Sequence, residues 1–225
     1  MIASAILTYQ PETTGRAGLL NRTLRSLADL SPTVIENGSD EFGADVVLPP
    51  IAGSPHGNTC GYGMNKCAAW LVANTDADIF ILSNDDIEWH VSADEIEAVW
   101  AEAPDEVAII SGLVEPTFQL PPNPPWNKPV GVREFAGRQV LFRMSVPGGA
   151  WTFRRKDYET IFPVPTFHGN DDVPTCHRLV RQGHGVAAVD WAEHIGVDQS
   201  TWGNLSHDRY IIESLRQVRE QWGLD

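Results

Sequence analysis

Short apolar runs alternate with helix-patterned stretches through the first half of this 225-residue chain, and that alternation limits the fold more than any other feature. Residues 2–8, 33–35, 44–48, 78–82 and 107–113 read as strands. Between them, residues 15–30 carry Leu19, Leu20, Leu24, Leu27 and Leu30 at the spacing of an amphipathic helix. Residues 61–74 place Met64, Ala68, Leu71 and Val72 on one side of a second helix. Residues 92–102 form a third, with Ser92 as N-cap and Glu95 completing a capping box. A βαβαβ order of this kind predicts an α/β fold, a Rossmann-like and mostly parallel central sheet flanked by helices. Ligands of such sheets bind beyond the carboxyl ends of the strands. Here those ends are Thr8-Tyr9, Glu36-Asn37 and Ser83-Asn84-Asp85-Asp86, each polar where its strand is apolar.

The second half is organised differently. Residues 115–130 are proline-rich, which excludes a helix or a central strand and predicts a long loop or lid. Strands are expected at 139–145 and 150–154, around the turn Pro147-Gly148-Gly149, and at 186–189. Helices are expected at 171–182, ended by Gly183, and at 208–221. No internal repeat or linker divides the chain, so residues 1–225 read as one domain.

Charge separates the halves further. The formal net charge is −14. Residues 1–112 hold four Lys/Arg against 17 Asp/Glu, and residues 113–225 hold 12 against 13. An acidic chain repels a phosphate backbone, so no affinity for duplex nucleic acid is expected. Three cysteines, Cys60, Cys67 and Cys176, fit neither a disulfide framework nor a zinc motif. No secretory leader and no transmembrane segment is expected from the apolar runs, and the expected setting is cytoplasmic.

The sharpest chemical feature is the acid pair Asp85-Asp86 at the end of an apolar strand. Adjacent carboxylates stay ionised most easily beside a cation, and a hard divalent ion on one or two carboxylates is how Mg²⁺ meets a nucleotide. A capped turn is the competing reading. Asn170-Asp171-Asp172 stands at a helix start, where acids also serve as plain caps. His194 lies near the end of the chain's closing strand-like stretch and is either structural or a metal ligand.

Taken in order, these segments resemble the GT-A-fold glycosyltransferases, most of all the inverting enzymes of family 2. Ala5-Ile6-Leu7-Thr8-Tyr9 with Leu20, Leu24 and Ser26-Leu27 resembles the family's first strand and helix. Val34-Ile35-Glu36-Asn37-Gly38-Ser39 resembles its second strand, where an acid meets the nucleotide base. Asn58-Thr59-Cys60-Gly61-Tyr62-Gly63-Met64-Asn65 resembles the Gly/Asn segment near the donor. Leu82-Ser83-Asn84-Asp85-Asp86-Ile87 occupies the place of the metal-binding Asp-x-Asp motif, with Ser83 replacing the first Asp. Residues 148–155, from Gly148-Gly149-Ala150-Trp151 onward, resemble the strand before the acceptor site. Asp171-Asp172 resembles the family's Glu-Asp motif, with Asp171 in place of the usual Glu and Pro174 where a second Asp often stands. Residues 189–196 resemble the closing strand with its metal-ligand His.

The resemblance implies a GT-A fold with a smaller acceptor-side region, residues 1–112 binding the nucleotide sugar and 113–225 the acceptor. It implies a hexosyltransferase-type enzyme that takes a UDP-, GDP- or dTDP-sugar and an acceptor hydroxyl on a saccharide, protein or modified base. It further implies Mn²⁺ or Mg²⁺ held by Asp86, Asp85 and His194, with Asp86 favoured over Asp85 as main ligand. Asp172 is the implied general base, with Asp171 orienting hydroxyls. Thr8, Tyr9, Glu36, Asn37, Gly61, Asn65, Lys66, Asn84, Asp85 and Asp86 would line the donor, and Gly149, Trp151 and Asp171 the acceptor. Two alternatives stand beside this reading: a sugar-nucleotide nucleotidyltransferase, and a catalytically inactive carbohydrate- or nucleotide-binding homologue. The acidic, Gly-poor segment 11–16 argues against the first, and the presence of both Asp85-Asp86 and Asp172 against the second.

Overall fold

The computed structural model of the chain describes residues 1–39, 41–51, 58–114, 129–166 and 172–196. Parallel β1 (Ile2–Thr8), β2 (Thr33–Glu36), β3 (Val46–Val47) and β4 (Ile79–Asn84) form one half of the main sheet, in the order β3-β2-β1-β4. Between them lie α1 (Ala17–Ser26) and α2 (Cys60–Asn74). The short β5 (Ile87–Trp89) follows β4, then α3 (Ala93–Glu102) and β6 (Val107–Ser111). The hairpin β7 (Gly131–Phe135) and β8 (Arg138–Phe142) turns through Ala136 and Gly137, both at positive φ. β9 (Ala150–Arg154) inserts antiparallel between β4 and β6. After α4 (Tyr158–Ile161) and α5 (Asp172–Arg181), β10 (Gly185–Ala188) lies parallel to β6 and antiparallel to β8. Last comes β11 (Ala192–His194), antiparallel to β5 in a separate two-stranded sheet.

Alternation along β1 and β4 explains why the sheet needs cover on both faces. Ala5, Leu7, Phe80 and Leu82 point to one side, where they pack with Met64, Cys67, Ala68 and Leu71 of α2 and with Cys176 and Leu179 of α5. Ile6, Ile79 and Ile81 point to the other, where they meet Leu20 of α1 and Ile96, Val99 and Trp100 of α3. Each fully buried aliphatic or aromatic side chain of this kind is worth about 1.5–3 kcal/mol. The two layers hold the strand ends, and so the polar residues there, in fixed relation.

Several elements differ from the sequence expectation, for local reasons. α1 starts only at Ala17, because Gly15 sits at φ +73° and the preceding turn closes on itself. Ser92 Oγ does accept from the Glu95 N–H. The Glu95 carboxylate, however, accepts from Trp191 Nε1 at 3.1 Å and pairs with Arg138 at 2.7 Å, so tertiary partners replace the reciprocal half of the capping box. β5, β7 and β11 are too short or too polar to show as apolar runs. The lid expected at 115–130 falls largely, and the helix at 208–221 wholly, outside the described residues. No helix among the described residues is long and apolar enough to cross a membrane.

Candidate active site

β4 ends at Asn84 because the chain turns there into β5, which lies against β11. That turn carries Asp85 and Asp86, each 4% exposed. Asp85 Oδ2 accepts from Thr8 Oγ1 at 2.7 Å, and its Oδ1 accepts from Arg16 Nη2 at 2.5 Å. The same Arg16 nitrogen donates to Asp86 Oδ2 at 2.6 Å. His194 Nε2 stands 3.0 Å from that Asp86 oxygen. The β5–β11 register sets His194 opposite Ile87, and the Ile195 N–H donates to the Asp86 carbonyl.

Burying two adjacent carboxylates is costly without a positive partner. Burial, reinforced by the Asp86 charge, holds Asp85 above the usual carboxylate range despite Arg16. At Asp86 burial also works upward, but the His194 hydrogen bond and the nearby Arg16 outweigh it and hold the group below that range. Arg16 is desolvated too, yet the two carboxylates raise its pKa above the ordinary guanidinium value.

The carboxyl ends of β1 and β2 lie alongside. Glu36 is fully buried, and its carboxylate accepts from the Gln10 N–H at 3.0 Å and from Ser39 through both Oγ and N–H. The acid expected to face the base therefore also shapes the two loops that would surround it. The Asn37 N–H donates to the Thr8 carbonyl, and its side-chain amide donates to the Thr59 carbonyl at α2's N-cap. Among the described residues Asn37 Oδ1 is buried with no partner. Tyr9 is half-buried. Gly61 is buried in the first turn of α2. Two residues later Gly63 brings α2 so close to β1 that a Cβ there would stand 2.6 Å from Leu7.

Elements from the second half of the chain reach the same strand end. The Asn84 N–H donates to the Gly149 carbonyl at 2.8 Å, and the neighbouring Gly148 N–H donates to Asp172 Oδ2 at 3.2 Å. Asp172 Oδ1 accepts from the Val173 N–H at 2.7 Å, at the start of α5. Burial pushes the Asp172 carboxyl up, and these backbone N–H groups only partly offset it. Ala5, Leu7, Met64, Cys67, Asn84 and Gly148 line a small cavity at this junction.

Other expected site residues have different surroundings. Trp151 requires a correction: it is fully buried in the core between β4 and β6, so its ring offers no open face to a sugar. Asn65 uses its amide on both the N–H and the carbonyl of Val164, which makes it a clamp between α2 and that segment. Lys66 is exposed, its ammonium 5.5 Å from the centre of the Tyr62 ring. Asp171 lies outside the described residues.

Arg16 was missed by the reading of motifs. Charge counting carried the signal, because the first 112 residues contain only Arg16, Arg22, Arg25 and Lys66 to balance a buried acid pair. Asp85, Asp86 and His194, the residues expected to hold a divalent ion, do stand together, but around a guanidinium. Three of the four carboxylate oxygens already accept from Thr8 or Arg16, and the guanidinium stands between the acids. Among the described residues Asp86 Oδ1 and His194 Nδ1 are buried without partners, and no group of three or more His, Cys, Asp or Glu is arranged to hold a metal. As they stand, these residues do not fit a divalent ion.

Comparison with solved structures decides the fold. A mannosyltransferase from Pyrobaculum calidifontis, solved with GDP-Man and Mn²⁺, matches with a TM-score of 0.57 at 13% identity, over 100% of this chain and 64% of that one. GalNAc-T7, solved with UDP, GalNAc and Mn²⁺, matches with a TM-score of 0.52 at 10% identity, over 98% of this chain and 54% of that one. The fold is that of the GT-A glycosyltransferases. A protein from STIV matches with a TM-score of 0.51 at 12% identity, over 85% of each chain. This chain thus spans under two thirds of the length of the mannosyltransferase and about half that of GalNAc-T7. No protein-family model matches the sequence, and no curated protein matches it.

Proposed function

We propose that the protein is an inverting glycosyltransferase of the family 2 type, transferring a hexosyl group from a nucleotide diphosphate sugar to an acceptor hydroxyl. One observation carries this reading: the Gly148-Gly149 turn bonds at one end to Asn84, beside the acid pair, and at the other to Asp172. A donor laid across the carboxyl ends of β1, β2 and β4 would present its sugar to that turn. The GT-A fold and the donor ligands named for its structural neighbours support the same assignment.

Residues 1–112 would hold the donor, with Thr8, Tyr9, Glu36 and Asn37 around the base and ribose. Asn84, Asp85, Asp86, Arg16 and His194 would stand near the diphosphate, and residues 113–225 would shape the acceptor site around Gly149. Asp172 is the assigned general base. The acceptor oxygen bonds to the anomeric carbon as the carbon–phosphate oxygen bond breaks through an oxocarbenium-like transition state. The acceptor proton passes to Asp172, and the nucleotide diphosphate leaves with the bonding pair. A single displacement from the face opposite the leaving group inverts the anomeric centre. No step is assigned to a divalent ion.

Calorimetric titration with UDP, GDP and dTDP tests the donor half of this reading. One of the three should bind with one-to-one stoichiometry. Failure of all three to bind would refute it.

A further inference from the structure

We propose that Arg16 is the resident cation of the acid pair, filling the place between Asp85 and Asp86 that a divalent ion would otherwise take. This rests on reading the acid pair as the diphosphate end of the donor site. It adds that the protein on its own does not hold free Mn²⁺ or Mg²⁺ there.

The geometry is specific. One guanidinium nitrogen lies 2.5 Å from Asp85 Oδ1 and 2.6 Å from Asp86 Oδ2, so a single positive group bridges both acids. Arg16 is itself buried, at 9% exposure. The loop that delivers it is tied to itself: Thr14 bonds to Gln10, Gly15 to Glu12 and Ala17 to Pro11. Gln10 and Gly15 take positive φ to make that path. The Arg16 carbonyl then accepts from Leu19 and Leu20, which starts α1. Arg16 is thus fixed by backbone on both sides.

Space and charge oppose a second cation. A Cβ at Gly196 would stand 3.0 Å from Asp86 Cβ, 3.6 Å from Asp86 Oδ2 and 2.8 Å from Leu19, so the chain also crowds the Asp86 side chain beside the oxygen that Arg16 holds. Mg²⁺ and similar hard ions keep several waters when bound to one or two carboxylates, and those waters need room. A dication beside a buried guanidinium is also repelled far more strongly than in water. Of the three other Lys/Arg residues in the first 112, Arg22 pairs with Glu88, Lys66 lies over Tyr62, and Arg25 stands in the last turn of α1, at the end opposite Arg16. Asp86 Oδ1 and His194 Nδ1, without a hydrogen-bond partner among the described residues, mark lone-pair ligand capacity that Arg16 leaves unused.

The test uses Mn²⁺ alone, followed by the loss of its free-ion paramagnetic resonance signal. Wild-type protein should leave the signal undiminished. Arg16→Met, which keeps the bulk and removes the charge, should bind Mn²⁺ at least ~10-fold more tightly than wild type, as expected when a competing charge leaves a low-dielectric site. Adding Asp86→Asn to Arg16→Met should abolish that binding. Arg16→Lys retains a cation and should stay silent like wild type. Stoichiometric Mn²⁺ uptake by wild type that is lost in Asp86→Asn would overturn the proposal, as would a folded Arg16→Met that takes up no Mn²⁺. If Arg16→Met does not fold, wild type and Arg16→Lys decide: silence in both supports the resident cation, and uptake by either overturns it. The probe contains no nucleotide, so failure of the donor reading would show separately in the UDP, GDP and dTDP titration.

Discussion

Gly148 donates its backbone N–H to Asp172 Oδ2, and the two residues lie so close that a Cβ on Gly148 would stand 3.0 Å from the Asp172 Cβ. The glycine is therefore the surface against which the assigned base rests. A methyl group there must push Asp172 away from the strand end. Gly148→Ala should lower kcat by about 10- to 100-fold, in keeping with the cost of displacing a reacting group by a fraction of an ångström to 1 Å. Nucleotide affinity should stay within about twofold, since the proposed nucleotide pocket lies on β1 and β2. Steady-state kinetics beside calorimetry separates the two effects.

Asp172→Asn removes proton acceptance while keeping the shape. Turnover should fall by roughly 10²- to 10⁴-fold, the range for loss of a general base. A variant with near-normal kcat would show that another group takes the proton.

The pH profile follows from the direction of the Asp172 shift. Burial raises its folded pKa above the ordinary value of about 3.9. The ionised form is the active one, so kcat/KM should fall as pH drops through that raised value, placing the acidic limb above pH ~4. The stability sign is opposite: a raised carboxyl favours folding below the unfolded pKa, and the advantage is lost as pH rises through the folded pKa. Rate measurements and urea unfolding across pH 3.5–7, about the relevant window, should therefore run in contrary directions for this group's contribution.

Arg16→Ala strips the bridging cation from two buried carboxylates. Breaking a buried ion pair by removing one partner costs about 3–5 kcal/mol, and urea unfolding at neutral pH should show a loss of that order. In wild type the depressed Asp86 contributes stability above the unfolded carboxylate pKa, lost as pH falls through its folded value. The deficit of the variant should accordingly shrink as the acids protonate. A deficit independent of pH would mean that Arg16 acts through packing alone.

The parallel half of the sheet was legible because Ile79, Phe80, Ile81 and Leu82 are apolar on both strand faces while Ser83 to Asp86 are not. Periodicity reads burial, and burial is what those residues share. Asp85 and Asp86 were legible for the complementary reason that acids directly after an apolar run need a partner, and Asp172 because it stands at a helix start. What periodicity does not report is the partner itself. Arg16 lies 69 and 70 residues from its acids, and the β5–β11 pairing that brings His194 to Asp86 spans more than 100 residues. Trp151 and Asn65 show that residue type marks only what a side chain can touch. Their neighbours in the fold, the β4–β9–β6 core and the Val164 backbone, decide what each does touch.

The central claim is that Asp172 and the Asp85-Asp86 strand end meet at one sugar. The most direct test is release of nucleotide diphosphate from a panel of UDP-, GDP- and dTDP-sugars by wild type and by Asp172→Asn. The account predicts release from donors of one nucleotide by wild type, with near-complete loss in the variant despite unchanged nucleotide binding. Release of pyrophosphate instead, or equal release by both proteins, would contradict it.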